Sequence, residues 1–255
     1  TGHNYVRVME WLLPAGKSMN HEYGGMFDAA TDGWPGPFTI ETYDVKPLEV
    51  KDGLGVRASA EADGIRIVRD MIVPEGESRM IVKVDQKNAT EKPKSMVLRF
   101  HNELRIGSQA DNNDVLFWRE GPRLKQRRYS VGSHFPRFSR DYPTENWMAI
   151  VDTAEREALI HRFIEPGPPY DVMYWSGEAK EAPPGQHGIK GDRGFYNNER
   201  FGKRTTVKPG ESLKAVEEYW SVVGFQRVDF CVEQGAGGLE LSKERYGQND
   251  TVEAT

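Results

Sequence analysis

Arg79-Met80-Ile81-Val82-Lys83-Val84 is a short β-type run, and the turn-forming Asn88-Ala89-Thr90 closes it. Ser95-Met96-Val97-Leu98-Arg99-Phe100 follows and has the same character. Working outward, Trp147-Met148-Ala149-Ile150-Val151, Ala158-Leu159-Ile160-His161-Arg162-Phe163 and Tyr219-Trp220-Ser221-Val222-Val223 continue the series. Pro74-Glu75-Gly76 and Lys208-Pro209-Gly210-Glu211 supply further turn signals. Many short strands with regular turn punctuation predict an all-β sandwich or barrel. Strands are expected over Met80–Val84, Met96–Arg105, Met148–Val151, Leu159–Phe163 and Glu217–Val223. Helical periodicity is confined to Gly238–Tyr246, where Leu239, Ser242 and Tyr246 share a face. Pro166–Pro169 and Glu181–Gly194 read as long loops, which in compact domains often border a functional cleft.

A length of 255 residues fits one large β domain or two small ones, and β-sandwiches often reach this size as a single unit. The expectation is a single domain over 1–255, processed or excised at its N-terminus because it opens on Thr1, with a short tail from about 235. Thirty-four basic against 39 acidic residues give a net charge of −5. Duplex binding needs a basic excess to displace counterions from phosphate, so no nucleic-acid partner is expected. The locally basic string Arg119–Arg128 reads as a solvated strand edge or loop. No apolar run reaches the roughly 18 residues that span a bilayer, so no membrane partner is expected. Cys231 is the sole cysteine, which excludes an intrachain disulfide and leaves the compartment open; in Val228-Asp229-Phe230-Cys231-Val232 it reads as a small buried hydrophobe. The six histidines lack zinc-type spacing, and Asp111-Asn112-Asn113-Asp114 reads as an Asx-rich turn and not as a calcium loop. No metal or cofactor is expected.

Three stretches, in order, resemble the galactose-mutarotase-like superfamily, which includes the aldose 1-epimerases. Asn20-His21-Glu22-Tyr23-Gly24-Gly25 is similar to that family's Asn-x-x-His-Gly-Gly segment, with Tyr23 standing at the histidine position and the paired glycines suggesting a tight bend. Asn88–Pro93 followed by Phe100-His101-Asn102-Glu103-Leu104 resembles a strand, an Asn-containing turn and a strand ending in Asn-His-x-x-Phe-Asn-Leu. Asn198-Glu199-Arg200, then Val207–Ser212, then Glu218–Val222 resembles the family's catalytic Glu strand, its Pro-Gly-Glu turn and its last sheet strand. The opening Gly-Arg-x-x-Asn-Arg segment of the family has no counterpart. The resemblance covers roughly residues 20 to 223 and implies a large antiparallel β-sandwich, or supersandwich.

It also implies a site. Interconverting sugar anomers requires one group to give a proton while another takes one, and the resemblance assigns these roles to His101 as acid and Glu199 as base. Strand alternation puts Arg99, His101 and Glu103 on one face and Leu98, Phe100 and Asn102 on the other. A cleft-lining strand and a solvent-exposed sheet face look alike at this level. Sugar rings pack their C–H faces on aromatic rings, with polar side chains around the hydroxyls. Trp34, within Asp32-Gly33-Trp34-Pro35-Gly36-Pro37, is the preferred platform; Trp118 with Arg119, and Trp175, come next, and Trp147 is a further candidate. His21, Tyr23 and Glu103 complete the substrate-binding set. The expected partner is a sugar or polysaccharide. Three functions remain open: an aldose 1-epimerase-like enzyme, a non-catalytic carbohydrate-binding or accessory domain of a polysaccharide-processing protein, and a hydrolase or lyase using the same cleft.

Overall fold

The computed structural model describes residues 20–28, 38, 41–104, 106, 112–128, 143–166, 171–177, 195–233 and 235–238. Its strands in the first half are β1 (Asn20–Asp28), β2 (Asp44–Pro47), β3 (Gly53–Ala62), β4 (Ile65–Pro74), β5 (Arg79–Asn88), β6 (Lys94–Met96), β7 (Arg99–Leu104), β8 (Asp114–Glu120) and β9 (Arg123–Arg128). The second half adds β10 (Trp147–Asp152), β11 (Glu157–Glu165), β12 (Asp171–Gly177), β13 (Phe195–Phe201), β14 (Thr205–Val207), β15 (Ser212–Val223), β16 (Phe230–Val232) and β17 (Gly235–Gly237). The order β2-β3-β4-β5-β15-β11-β10-β8-β9 forms a nine-stranded sheet, and β1-β7-β13-β12 a four-stranded one. β6 pairs with β14 and β16 with β17. This is the expected all-β architecture, and the pairings in both large sheets are antiparallel.

Strand β15 shows how the sequence builds the layers. Ala215 and Tyr219 point into the cluster that also holds Val82, Val84, Phe100, Met148 and Leu159. Trp220 and Val222, half-buried, point the other way, toward Phe117, Trp147, Ala149, Ile160, Val228 and Cys231. The first cluster lies between the two sheets. The second lies on the opposite face of the larger sheet, where the C-terminal β16–β17 hairpin covers it. Central strands are therefore buried on both faces, which is why Trp147–Asp152 is an almost unbroken apolar run instead of a clean alternation.

Nine strands outreach four. Ala58, Ala60 and Ala62 of β3 are buried, but Leu54 and Val56, on the same alternating face, are 80% and 37% exposed. Their neighbours in the ladder, Val73 opposite Leu54 and Pro47 opposite Val56, are exposed, as is Val45 beyond them. The result is an apolar ledge continuous with the interior.

Two expectations need correction. Met96–Arg105 is not one strand: the chain leaves β6 at Met96 and joins a different sheet at Arg99. The Leu98 carbonyl is taken by the Gly202 amide at 2.7 Å, a partner more than 100 residues away that the local sequence cannot reveal. Gly24-Gly25 is not a tight bend but part of β1, whose register against β7 jumps between Asn20 and Gly25. Five steps along β1 there oppose a single step from Leu104 to Glu103, a bulge in the ladder. The basic string behaves as expected, with β9 at the edge of the nine-stranded sheet. The expected loop Glu181–Gly194, the part of Pro166–Pro169 after Pro166, and the helix expected after Gly238 lie outside the described residues.

Candidate functional site

The four-stranded sheet collects most of the candidate residues. In its ladder, His101 is the partner of Phe27 on one side and of Glu199 on the other, and Glu199 in turn pairs with Met173. The adjacent row on the same face runs Gly25, Glu103, Asn197, Trp175. Directly paired residues on antiparallel strands sit about 4.5–5.5 Å apart between Cα atoms. His101, Glu199, Glu103 and Trp175 thus occupy two neighbouring rows. His21 and Tyr23 lie in the bulged part of β1, in the same sheet. Trp34 lies outside the described residues.

Glu199 itself is 1% exposed. Its Oε2 receives the Arg99 Nε–H in an ion pair buried on both sides, and the Arg99 guanidinium lies 5.0 Å from the Phe201 ring centroid. Burying a carboxylate is tolerable because a charged donor meets it. The sequence placed Arg99 on the face of His101 but gave no sign that it would clasp Glu199, since the two are 100 residues apart.

The opposite face of the same sheet turns into the sandwich, and sequence reading missed its chemistry altogether. Arg200 forms an ion pair with Glu217 Oε1, both fully buried, its guanidinium lying 5.2 Å from the Phe100 ring centroid and 4.9 Å from that of Phe163. His161 Nε2 lies 2.7 Å from Glu217 Oε2. The imidazole stacks on Tyr219 at 4.3 Å and meets Phe163 edge-on at 4.4 Å. The Tyr219 hydroxyl sits 3.0 Å from Glu217 Oε2 and 3.3 Å from Asn102 Oδ1. Burial pushes the His161 imidazole below its ordinary 6.5; Glu217 pulls the other way and Arg200 reinforces burial. Burial alone would raise the Glu217 carboxyl, but His161, Arg200 and the hydrogen bonds it accepts hold it below 4.5. At neutral pH this is a neutral imidazole donating Nε2–H to an ionised carboxylate that Arg200 neutralises. The one available signal was the alternation of Glu217 and Tyr219 with Val216 and Glu218 along β15.

Other tryptophan candidates leave the site. Trp118 is 6% exposed and packs in the inter-sheet cluster, so its ring offers no open face to a sugar. Arg119, its neighbour, points to the opposite face of β8, where its guanidinium donates to the carbonyls of Asp229 (3.0 Å) and Pro122 (3.1 Å). The two therefore cannot line one cleft. Trp147 is wholly buried and donates to Glu145 Oε2 at 2.6 Å. Among the described residues, no group of three His, Cys, Asp or Glu side chains is placed to hold a metal ion, and no helix is long and apolar enough to cross a membrane.

Comparison with solved structures gives this architecture its name. The galactose mutarotase related enzyme from Lactobacillus acidophilus superposes with a TM-score of 0.54 at 8% identity, covering 85% of this chain and 91% of that one. The fold is galactose-mutarotase-like. A candidate mutarotase from Salmonella typhimurium shares this mutarotase-like fold at a TM-score of 0.53 and 12% identity, over 84% of this chain and 80% of that one. A TPR-domain containing protein from Parabacteroides distasonis matches at 0.50 and 14% identity, over 86% of this chain. The match spans only 41% of that protein's length. No protein-family model matches the chain. No curated relative matches it by sequence either.

Proposed function

We propose that the chain is a carbohydrate-active protein that interconverts the anomers of an aldose or aldose derivative, with His101 as general acid and Glu199 as general base. What carries the reading is the adjacency of these two positions in one ladder of a mutarotase-like fold. In ring opening, Glu199 takes the proton from the anomeric hydroxyl as the C1–O1 bond becomes a carbonyl. The C1–O5 bond breaks, and His101 delivers a proton to O5. Closure on the other face reverses each transfer. O1 and O5 share one carbon, so the acid and base have to stand side by side, as cross-strand neighbours do. Arg99 keeps the Glu199 carboxylate oriented. Glu103 and Trp175, one row away, would serve a sugar hydroxyl and an apolar ring face, with His21, Tyr23 and Trp34 as further substrate contacts. Polarimetry and exchange NMR on a panel of aldoses test this; wild-type protein that leaves every sugar at the buffer rate overturns it.

A second reading is a non-catalytic carbohydrate-binding domain of a larger protein. It is favoured by the Parabacteroides protein, in which the matched fold is less than half of a longer chain, and by the depth at which Arg99 holds Glu199. Calorimetric sugar binding without anomerisation would select it.

A further inference from the structure

Each half of the proposed acid–base pair is followed in sequence by a residue that anchors its strand to the larger sheet. After His101 comes Asn102, whose Oδ1 lies 3.3 Å from the Tyr219 hydroxyl. Following Glu199 is Arg200, paired with Glu217. Both anchors end on β15, two residues apart, and His161 of β11 braces Glu217 from the side. All five groups are buried, with Asn102 and Arg200 each 1% exposed, His161 3%, and Glu217 and Tyr219 0%.

We infer that Glu217 and Tyr219, acting through Arg200 and Asn102, are positioning residues that fix β7 and β13 against the nine-stranded sheet and thereby set the spacing of His101 and Glu199. The effect on turnover rests on the function proposed above; the anchoring does not. Apolar packing is non-directional and would let one sheet slide over another at small cost. A charge-assisted hydrogen bond from a buried guanidinium nitrogen to a buried carboxylate oxygen is directional and holds one geometry. The Tyr219 hydroxyl has one proton for two acceptors, Glu217 Oε2 and Asn102 Oδ1, so it couples the anchors of the two strands. A buried ion pair of this kind is a poor source of stability compared with an apolar replacement, so specificity of arrangement is the better account of its presence.

The test uses the full chain with Tyr219→Phe, which keeps the ring on His161 and removes the hydroxyl, and Arg200→Lys, which keeps the charge and loses the planar guanidinium that reaches Glu217. Hydrogen exchange is measured strand by strand. Protection at β7 and β13 should fall about tenfold or more, while the β4–β5 hairpin stays within about twofold of wild type. On an aldose that the wild type turns over, the pH–rate profile of the variants should shift. A smaller folded fraction alone would scale the rate and leave that profile unchanged. Equal loss of protection in all strands, or none in β7 and β13, overturns the inference. Should Arg200→Lys fail to fold, Tyr219→Phe decides the matter. Should the wild type turn over no sugar, the proposed function falls, and the exchange pattern alone decides whether the anchoring stands.

Discussion

The Gly210 amide donates to the Asn88 carbonyl at 2.9 Å, while the Asn88 amide donates to the Glu211 carbonyl at 3.0 Å. Two turns some 120 residues apart in sequence are thus one structural unit. The Asn88 side chain completes it: Nδ2 donates to the Lys92 and Val207 carbonyls at 2.8 and 2.9 Å, and Oδ1 accepts from the Thr90 amide and hydroxyl at 3.0 and 2.8 Å. Gly210 takes a φ of +77°, so only glycine makes this turn without strain. Asn88→Ala removes the donor to the buried Val207 carbonyl and both bonds accepted from Thr90, and should cost about 1–3 kcal/mol. Urea unfolding checks this, and a change under about 0.5 kcal/mol would refute the role.

Removing Arg99 should be worse. Arg99→Met removes a charged donor from the buried Glu199 carboxylate, a loss of about 3–5 kcal/mol. The double variant Arg99→Met/Glu199→Gln should recover part of it, because the buried negative charge goes too. A double-mutant cycle by chemical denaturation with no coupling would mean that the pair is energetically idle.

Glu199→Gln alone tests the chemistry. It keeps the shape of the base and removes its basic oxygen, so sugar binding should persist while anomerisation falls ~10²–10⁴-fold. Retention of the full wild-type rate in exchange NMR would exclude Glu199 as the base.

Stability should depend on pH through the interior cluster. The imidazole of His161 and the carboxyl of Glu217 are both held below their ordinary values in the fold. The unfolded chain therefore binds more protons than the native one as pH falls. Their contributions are complete above about pH 6.5; that of His161 is lost as pH drops below this point and that of Glu217 below about 4.5, at up to about 1.4 kcal/mol per pH unit for each group. Unfolding free energies for wild type and His161→Gln between about pH 7 and 5 should diverge, with the variant flatter. Parallel curves would show that His161 does not titrate on unfolding.

Cys231 makes the simplest measurement. Burial pushes its thiol up to about 12, so the native thiolate fraction near pH 8 is on the order of 10⁻⁴. Disulfide reagents should modify it only when the protein unfolds. Rapid reaction of the folded chain would contradict the burial.

Much of this fold could be read from the sequence because its strands are locally consistent. Arg79–Asn88 carries the signature of alternation, and Trp147–Asp152 that of a strand buried on both faces. What escaped is non-local. Glu217 and Glu218 look like two surface charges. In the structure both are buried, on opposite faces of β15, Glu217 with Arg200 and His161, Glu218 with Arg162 and Arg79. The partners from β11 are 56 residues away, and no periodicity announces them. The family-like segments pointed to His101 and Glu199, which the fold sets opposite one another in one ladder, and the aromatic residues to Trp175 in the next row, but Trp118 was misplaced. Trp118 beside Arg119 read as a tryptophan next to a polar residue, yet it is interior.

The ledge of Leu54, Val56, Val73 and Val45 borders β2, the edge of the larger sheet among the described strands. That edge spans four residues, exposed throughout. Within it, Pro47 has no amide hydrogen to offer, and the Lys46–Asp44 ion pair is charge that an incoming strand would have to desolvate. Another chain can adhere to the ledge but finds no template along which to add itself. Aggregates that form under heat stress should accordingly be amorphous, with little thioflavin fluorescence, and Pro47→Val together with Lys46→Val should convert the same ledge into a seed for cross-β growth.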